Sequence, residues 1–149
     1  MSDHYLRLVP VDPKWQVMPE AAEAAVRVLA EMLPAAEEVS SHLEESVVFY
    51  DAGQNTISVS CPACGADSEG WWGDAMDEAF ASAFRDLVVT TPCCARPMSL
   101  NDLAYDWPAA FGSFSLEVAN PGVPVFTDEQ RAAVERALGT SLKVVWQHL

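Results

Sequence analysis

Four cysteines in two close pairs constrain this chain more than any other feature of its sequence. The first pair lies in the segment CPACG at 61–65, and the second is the adjacent pair at 93 and 94. Proline fixes one backbone angle and glycine admits a positive φ, which suits a tight turn that points both thiols of a Cys-x-x-Cys at one ion. Adjacent side chains of a strand diverge, so the second pair can share an ion only if the chain turns there; Pro92 and Pro97 favour such a turn.

The cysteine pattern predicts a structural Zn²⁺ site. Four thiolates complete the tetrahedral shell of zinc and leave no open coordination position. In a reducing compartment, cysteines bind metal more often than they form disulfides, and the distant second pair disfavours redox chemistry. Two alternatives remain open: a histidine replaces one cysteine of the second pair, or the cysteines are unrelated apolar core residues. The predicted ligands are Cys61, Cys64, Cys93 and Cys94, and the alternative ligands are His4, His42 and His148.

The composition indicates one acidic globular domain. The chain has 149 residues, and 8 Lys plus Arg against 22 Asp plus Glu give a net charge of −14. We expect a single domain at 1–149, with 61–108 as a zinc-knuckle insert region. Phosphate backbones repel such a chain, and no basic patch is visible, so we expect no nucleic-acid partner.

The sequence also predicts a cytoplasmic protein without a membrane partner. No apolar run approaches the roughly 18 residues of a membrane-spanning helix, and the first residues lack a basic region followed by an apolar stretch. The predicted helices are acidic, which disfavours binding at a membrane surface.

Hydrophobic periodicity predicts an α+β fold. Alternation predicts strands at 5–9, 46–50, 56–61, 87–91, 113–118 and 142–146, and a 3.6-residue period predicts a helix at 19–33. We expect 46–50 and 56–61 to form a hairpin, Asp74 to cap a second helix, and 99–103 to form one helical turn. Thr127 and Gln130 match a capping box for a third helix that ends at Leu138.

This order predicts a mixed or antiparallel sheet with helices packed mainly on one face. Each end of the chain predicts a strand, a proline-containing loop, a helix and a second strand, in that order. This repeat fits two ferredoxin-like halves with a four-cysteine zinc knuckle inserted between them.

Aromatic and polar residues flank both cysteine pairs. Two interpretations are open: a candidate binding surface for a protein, peptide or sugar, and rings that cover the knuckle and fill a small core, which is the interpretation we favour. In an extended segment, adjacent tryptophans would diverge, so we expect one of the first two to be exposed. The candidate binding residues are Trp71, Trp72, Asn101, Asp102, Tyr105, Asp106 and Trp107.

Six segments together resemble a family of small uncharacterised bacterial proteins. They are YLRLVPVDPKW at 5–15, CPACG at 61–65, WWG at 71–73, TTPCC at 90–94, SLNDL at 99–103 and YDWP at 105–108. The resemblance spans nearly the whole chain and implies a zinc knuckle of the pattern CPxCG … TPCC, but no activity. Ala95 stands where a glycine is expected after the second pair.

We therefore expect a zinc-stabilised protein-interaction module of the adaptor or toxin-neutralising type, whose acidity favours a basic protein partner. The alternative is a small-ligand binder or an enzyme with an aromatic pocket beside the knuckle. A third possibility is an acidic mimic of nucleic acid. No motif for a nucleophile elbow, a phosphate loop or a zinc hydrolase is found, so the sequence gives no positive sign of an enzyme.

Overall fold

The computed structural model describes residues 3–51 and 58–148, and it contains three α-helices and eight β-strands within those ranges. The helices are α1 Pro19–Met32, α2 Glu69–Ala81 and α3 Asp128–Leu138. The strands are β1 His4–Pro10, β2 Glu38–Tyr50, β3 Val59–Ser60, β4 Val88–Thr90, β5 Pro97–Ser99, β6 Ala104–Tyr105, β7 Ala110–Ala119 and β8 Leu142–His148. One 3₁₀ turn spans Leu100–Asp102.

The main sheet has four antiparallel strands in the order β2-β7-β1-β8. Strand β7 lies between β1 and β2, so the unit β1-α1-β2 is a split β-α-β, and β7-α3-β8 repeats the pattern. The predicted α+β class with ferredoxin-like halves is confirmed. The segment that carries the cysteines connects β2 to β7.

Helices α1 and α3 pack together on one face of this sheet and bury the main core. Alternate residues of the strands face the helices, as a period of two requires. The core contains Leu6, Leu8, Leu29, Phe114, Leu116, Val118, Val134 and Leu142, among others. Burial of this apolar surface is the main source of stability for the sheet and its helices.

Local sequence explains where the two helices begin and end. Pro19 occupies the first turn of α1, where its missing N–H costs nothing. The predicted capping box of α3 is confirmed: the Thr127 side chain accepts from the Gln130 N–H, and the Gln130 side chain accepts from the Thr127 N–H. Gly139 follows α3 with φ 93°, a conformation that favours glycine.

The connection between β2 and β7 forms two small sheets and a core of its own. Strand β3 pairs with β6, and β4 pairs with β5. Their core contains Val59, Ala79, Phe84, Leu87, Leu100, Leu103 and Phe111. Phe111 belongs to β7, so this second core continues onto one end of the main sheet.

Asn101 joins the insert to the main sheet. It is buried, its Nδ2 donates to the Val11 carbonyl at 2.9 Å, and its Oδ1 accepts from the Phe111 N–H at 3.1 Å. Lys143 of β8 donates to the Asn101 carbonyl oxygen at 2.6 Å and to its Oδ1 at 3.0 Å. One side chain therefore connects the 3₁₀ turn, the loop after β1, and strands β7 and β8.

One sequence prediction about this region is wrong, and another gives too short a strand. Strand β3 pairs with β6 rather than with β2, so within the described residues 58–61 the predicted hairpin with 46–50 is not formed. The predicted turn at 52–55, and residues 56 and 57, lie outside the described residues. Strand β2 begins at Glu38, eight residues before the predicted strand, because its polar first half pairs with β7 at the sheet edge.

Helix α2 begins six residues earlier than predicted. Its N-cap is Ser68 rather than Asp74, so Trp71 and Trp72 are helical residues. Neighbouring helical side chains point about 100° apart, and both tryptophans are half-buried. The expectation that one of them is exposed in an extended segment is therefore wrong. The spacing of Met76, Phe80 and Phe84 predicts that all three face a core, but Phe80 is 70% exposed.

Among the described residues, none of the helices combines the length and the apolar character that a membrane crossing requires.

Candidate metal centre

The first cysteine pair lies in a tight turn directly after β3. The Gly65 N–H donates to the Cys61 carbonyl at 2.7 Å, and the Cys61 N–H donates to the Ala66 carbonyl at 2.8 Å. Gly65 has φ 75°, in the left-handed region where a residue with a Cβ is strained. The predicted turn is thus present at the CPACG segment.

The second pair lies in a turn with the same hydrogen bonds, between β4 and β5. The Ala95 N–H donates to the Thr91 carbonyl at 2.7 Å, and the Thr91 N–H donates to the Arg96 carbonyl at 2.9 Å. Ala95 has φ 54° and corresponds to Gly65. Thr91 occupies the position that Cys61 has in the first turn, and Cys93 occupies the position that Ala63 has there. The two turns are equivalent backbones with different cysteine positions.

The two turns bring all four sulfur atoms together. Ligand atoms of Cys61, Cys64, Cys93 and Cys94 all lie within 4.8 Å of one another. The Sγ of Cys94 lies 3.8 Å from that of Cys61 and 3.9 Å from that of Cys93. Sulfur atoms at about 2.3 Å from a tetrahedral ion are about 3.8 Å apart, so the arrangement fits a metal ion bound by four thiolates. The four cysteines are therefore positioned to coordinate one ion.

Electrostatics of the cluster favour a cation. The Cys64 N–H donates to the Cys61 thiol and lowers its pKa to about 7. The neighbouring Cys64 thiol raises the pKa of Cys93 to about 12. Thiolates this close repel one another, so they ionise together only when a bound cation compensates their charge.

The surroundings of the sulfurs differ from one side to the other. Cys61 is buried, Cys94 is partly buried, and Cys64 and Cys93 are exposed. The Thr91 Oγ1 lies 3.3 Å from the Cys94 sulfur, within reach of a hydrogen bond to a thiolate. One side of the cluster thus packs on protein, and the other side faces solvent.

The histidines that were alternative ligands lie at other sites. His4 and His148 are opposite each other on β1 and β8, with their Nδ1 atoms 3.0 Å apart. The Nε2 of His42 lies 3.0 Å from the Glu117 carboxylate. Neither location belongs to the cysteine group, so the all-cysteine set is the one that the described geometry supports.

Trp71 and Trp72 pack into the second core instead of forming an open platform. Trp72 donates to the Tyr105 hydroxyl at 3.3 Å, and the two rings meet edge to face with centroids 6.3 Å apart. Phe49 of β2 lies 6.0 Å from both rings. These aromatic side chains connect α2 to the main sheet.

The remaining candidate binding residues divide into buried and exposed positions. Tyr105 is half-buried and donates to the Leu100 carbonyl at 2.7 Å, and burial raises its pKa to about 12. Asp102 and Asp106 are exposed, and Trp107 is 43% exposed. The candidate surface therefore reduces to the stretch around 102–107, since Asn101 is buried in structural contacts.

Sequence reasoning missed a polar network on the sheet face away from the helices. Arg7 donates to Gln147 and Ser115, and its guanidinium lies 2.9 Å from Glu117 and 5.0 Å from the Tyr50 ring centroid. The network could have been predicted from the sequence, because its polar residues occupy alternate positions on strands that pair with one another. These partners accept hydrogen bonds from the Arg7 guanidinium and balance its charge, so the network stabilises this face of the sheet.

The same face places Ser40, His42 and Glu117 next to one another. The Ser40 hydroxyl and the Glu117 carboxylate both lie 3.0 Å from the same ring nitrogen, Nε2 of His42. A catalytic triad uses the two different ring nitrogens, so this group does not have the geometry of one.

Comparisons with family models, with curated proteins and with solved structures found no match to this chain. The resemblance to a family of small bacterial proteins accordingly stays a prediction.

Proposed function

We propose that the four cysteines hold one structural Zn²⁺ and that the chain acts in the cytoplasm as a module that binds a basic protein. The observation that carries the metal assignment is the convergence of four sulfurs within 4.8 Å from two equivalent turns. A tetrahedral all-sulfur site suits zinc or iron, and a closed zinc shell contributes folding energy rather than chemistry.

The acidity of the chain supports a basic partner. Its net charge of −14 attracts cationic proteins, which raises the rate of association more than the equilibrium affinity. The tight contact of Trp72 with Tyr105 argues against the alternative of an aromatic ligand pocket between α2 and β6. Both an adaptor and a toxin-neutralising protein fit a zinc-stabilised acidic module.

The test is a complex made from purified components. Cross-linking in the source cells, followed by mass spectrometry, identifies candidate partners, and each candidate is then purified and titrated with the zinc-loaded chain. We expect a stoichiometric complex with a basic protein, whose association rate falls at least about tenfold between about 50 and about 500 mM salt. An association rate that salt does not change would reject the electrostatic part of the proposal. The absence of any purified complex would reject the binding function.

A further inference from the structure

Strand β8 ends the main sheet and has no strand partner on its outer side within residues 3–51 and 58–148. The Val11 N–H donates to the Ser141 carbonyl at the start of the β1–β8 ladder. Hydrogen-bonded and non-bonded pairs alternate along an antiparallel ladder, so the backbone groups of Val144 and Trp146 point outward. Leu142 lies two residues before Val144, so its backbone N–H also points outward, and it donates to the Glu135 carboxylate at 2.7 Å. Main-chain donors and acceptors therefore line the outer edge of β8.

A groove follows this edge. We call it the β8 groove, and its walls are the segment 103–109 of the insert and the segment 121–126 before α3. Two hollows of about 480 Å³ each lie along the strand, one beside 142–144 and one beside 146–148. A third, of about 520 Å³, adjoins the second at Trp146 and extends away from β8 towards His4 and Asn120. Their lining includes Tyr105, Trp107 and Pro108 on one wall and Pro124, Val125 and Phe126 on the other.

Exposed apolar side chains lie in the β8 groove. Val125 is 62% exposed and Trp107 is 43% exposed, and Trp146 of the strand lines the same hollow and is half-buried. A large exposed aromatic beside free backbone groups is typical of a surface that receives another chain.

The opposite edge of the sheet is protected against strand addition. Strand β2 shifts register between Leu43 and Val48, and such a bulge disrupts pairing. Glu38, Glu44 and Glu45 are exposed on that strand. Strand β8 has neither a bulge nor an outward charge, because its one lysine is directed at Asn101. The two edges thus differ in the features by which proteins block pairing.

The charges around the groove select a basic occupant. Asp106 is exposed between two lining residues, and the Glu135 carboxylate lies at the strand edge. Arg131 and Lys143 also line the groove. The Arg131 guanidinium lies 3.6 Å from the Asp128 carboxylate and 4.0 Å from that of Glu135, and the Asp102 carboxylate attracts the Lys143 ammonium, so with Asp106 four carboxylates lie around these two cations. A second copy of this chain would add another charge of −14, which disfavours pairing between copies.

We propose that the β8 groove binds an extended segment of the partner protein that alternates basic and apolar residues, and that this segment adds to β8 as a fifth strand. Backbone hydrogen bonds to β8 supply affinity, and alternate apolar side chains contact Trp107 and Val125. This inference rests on the proposed function, since it names the surface and the kind of partner segment through which the module acts.

A synthetic peptide tests the groove directly. The probe is an acetylated octapeptide of alternating lysine and valine, added to the isotope-labelled, zinc-loaded full chain and followed by NMR. We expect shift changes confined to 103–109, 121–126 and 142–148, with slower hydrogen exchange at the amides of Val144 and Trp146. N-methylation of alternate peptide bonds removes strand donors and should weaken binding at least about tenfold. Equal binding of the methylated peptide, or shift changes elsewhere, would overturn the inference.

Matched variants distinguish peptide binding in the β8 groove from nonspecific binding to exposed aromatic side chains. Trp107→Ala should weaken peptide binding at least about tenfold. Phe80→Ala removes an aromatic ring that is 70% exposed on α2 and should change affinity less than about twofold. Val144→Pro removes one outward N–H without touching the ladder to β1, and should also weaken binding at least about tenfold. Equal effects of Trp107→Ala and Phe80→Ala would contradict the assignment.

The failure of this inference can be told from the failure of the proposed function. If a purified basic partner binds but its cross-links avoid 103–109, 121–126 and 142–148, the module function survives and the groove assignment is wrong. If neither a purified partner nor the peptide binds, both are wrong.

Discussion

Cys61 and Cys94 lie 33 positions apart in the sequence, yet their sulfur atoms are 3.8 Å apart. Cys61 follows β3, and Cys94 lies in the turn between β4 and β5, so an ion at this site would join the two small sheets of the insert. The main core beneath α1 and α3 contains no residue of either sheet. An ion bound by the four cysteines would therefore stabilise a different part of the fold from the main core.

Removal of the metal should loosen the insert before the main sheet. After chelation we expect amide hydrogen exchange to accelerate in β3, α2, β4 and β5, while β1 and β8 keep their protection, because their core is separate. Hydrogen exchange with mass spectrometry measures this. Cys64→Ser supplies a version that needs no chelator and should give the same pattern. Uniform loss of protection across the chain would contradict separate stabilisation.

Ala95→Gly should stabilise the zinc-loaded protein. Ala95 has φ 54°, where an alanine costs about 1 kcal/mol relative to glycine, and the equivalent position in the first turn is already glycine. We expect the free energy of unfolding to rise by about 1 kcal/mol in urea at constant excess zinc. Ala63→Gly, at a position without positive φ, serves as the control and should not stabilise. If Ala95→Gly instead lowers the free energy of unfolding, the positive φ of Ala95 does not destabilise this turn.

Asn101→Ala should destabilise the protein by about 2–4 kcal/mol, because it leaves the buried Phe111 N–H and the Val11 carbonyl without their partner. Asp106→Ala, in the same stretch and exposed, should change the free energy of unfolding by less than about 0.5 kcal/mol. Urea unfolding followed by tryptophan fluorescence measures both. Similar effects of the two variants would mean that Asn101 does not join the insert to the sheet.

Tyr105 should contribute stability that disappears at alkaline pH. Burial raises its pKa from 10.0 to about 12, so the folded state holds the phenol proton more tightly than the unfolded state. The stabilisation is complete below about pH 10 and is lost as pH rises towards about 12. The gap in free energy of unfolding between the natural protein and Tyr105→Phe should narrow over that range. A gap that stays constant with pH would contradict the burial of this hydroxyl.

The regular elements could be predicted where periodicity and caps agree. Strand β1 alternates, α1 has a clear apolar face, and Thr127 and Gln130 mark the start of α3 by their spacing alone. The ferredoxin-like order followed from these elements because both halves repeat it.

The insert was harder to predict because its elements depend on contacts between distant residues. Strands β5 and β6 contain three and two residues, too few for a periodic signal. Asp74 is a favourable N-cap residue, so the sequence predicted the start of α2 there, although packing of Trp71 and Trp72 against the second core keeps the preceding residues helical. The role of Thr91 as the counterpart of Cys61 appears only when the hydrogen bonds of the two turns are compared.

Zinc content and thiol count together test the central claim most directly. The purified chain should contain one equivalent of zinc, and its thiols should react slowly with a thiol reagent. Chelation should release that zinc and expose four reactive thiols, the number in the sequence. A chain that is folded and free of metal, with four thiols that react at once or two disulfides, would contradict the account.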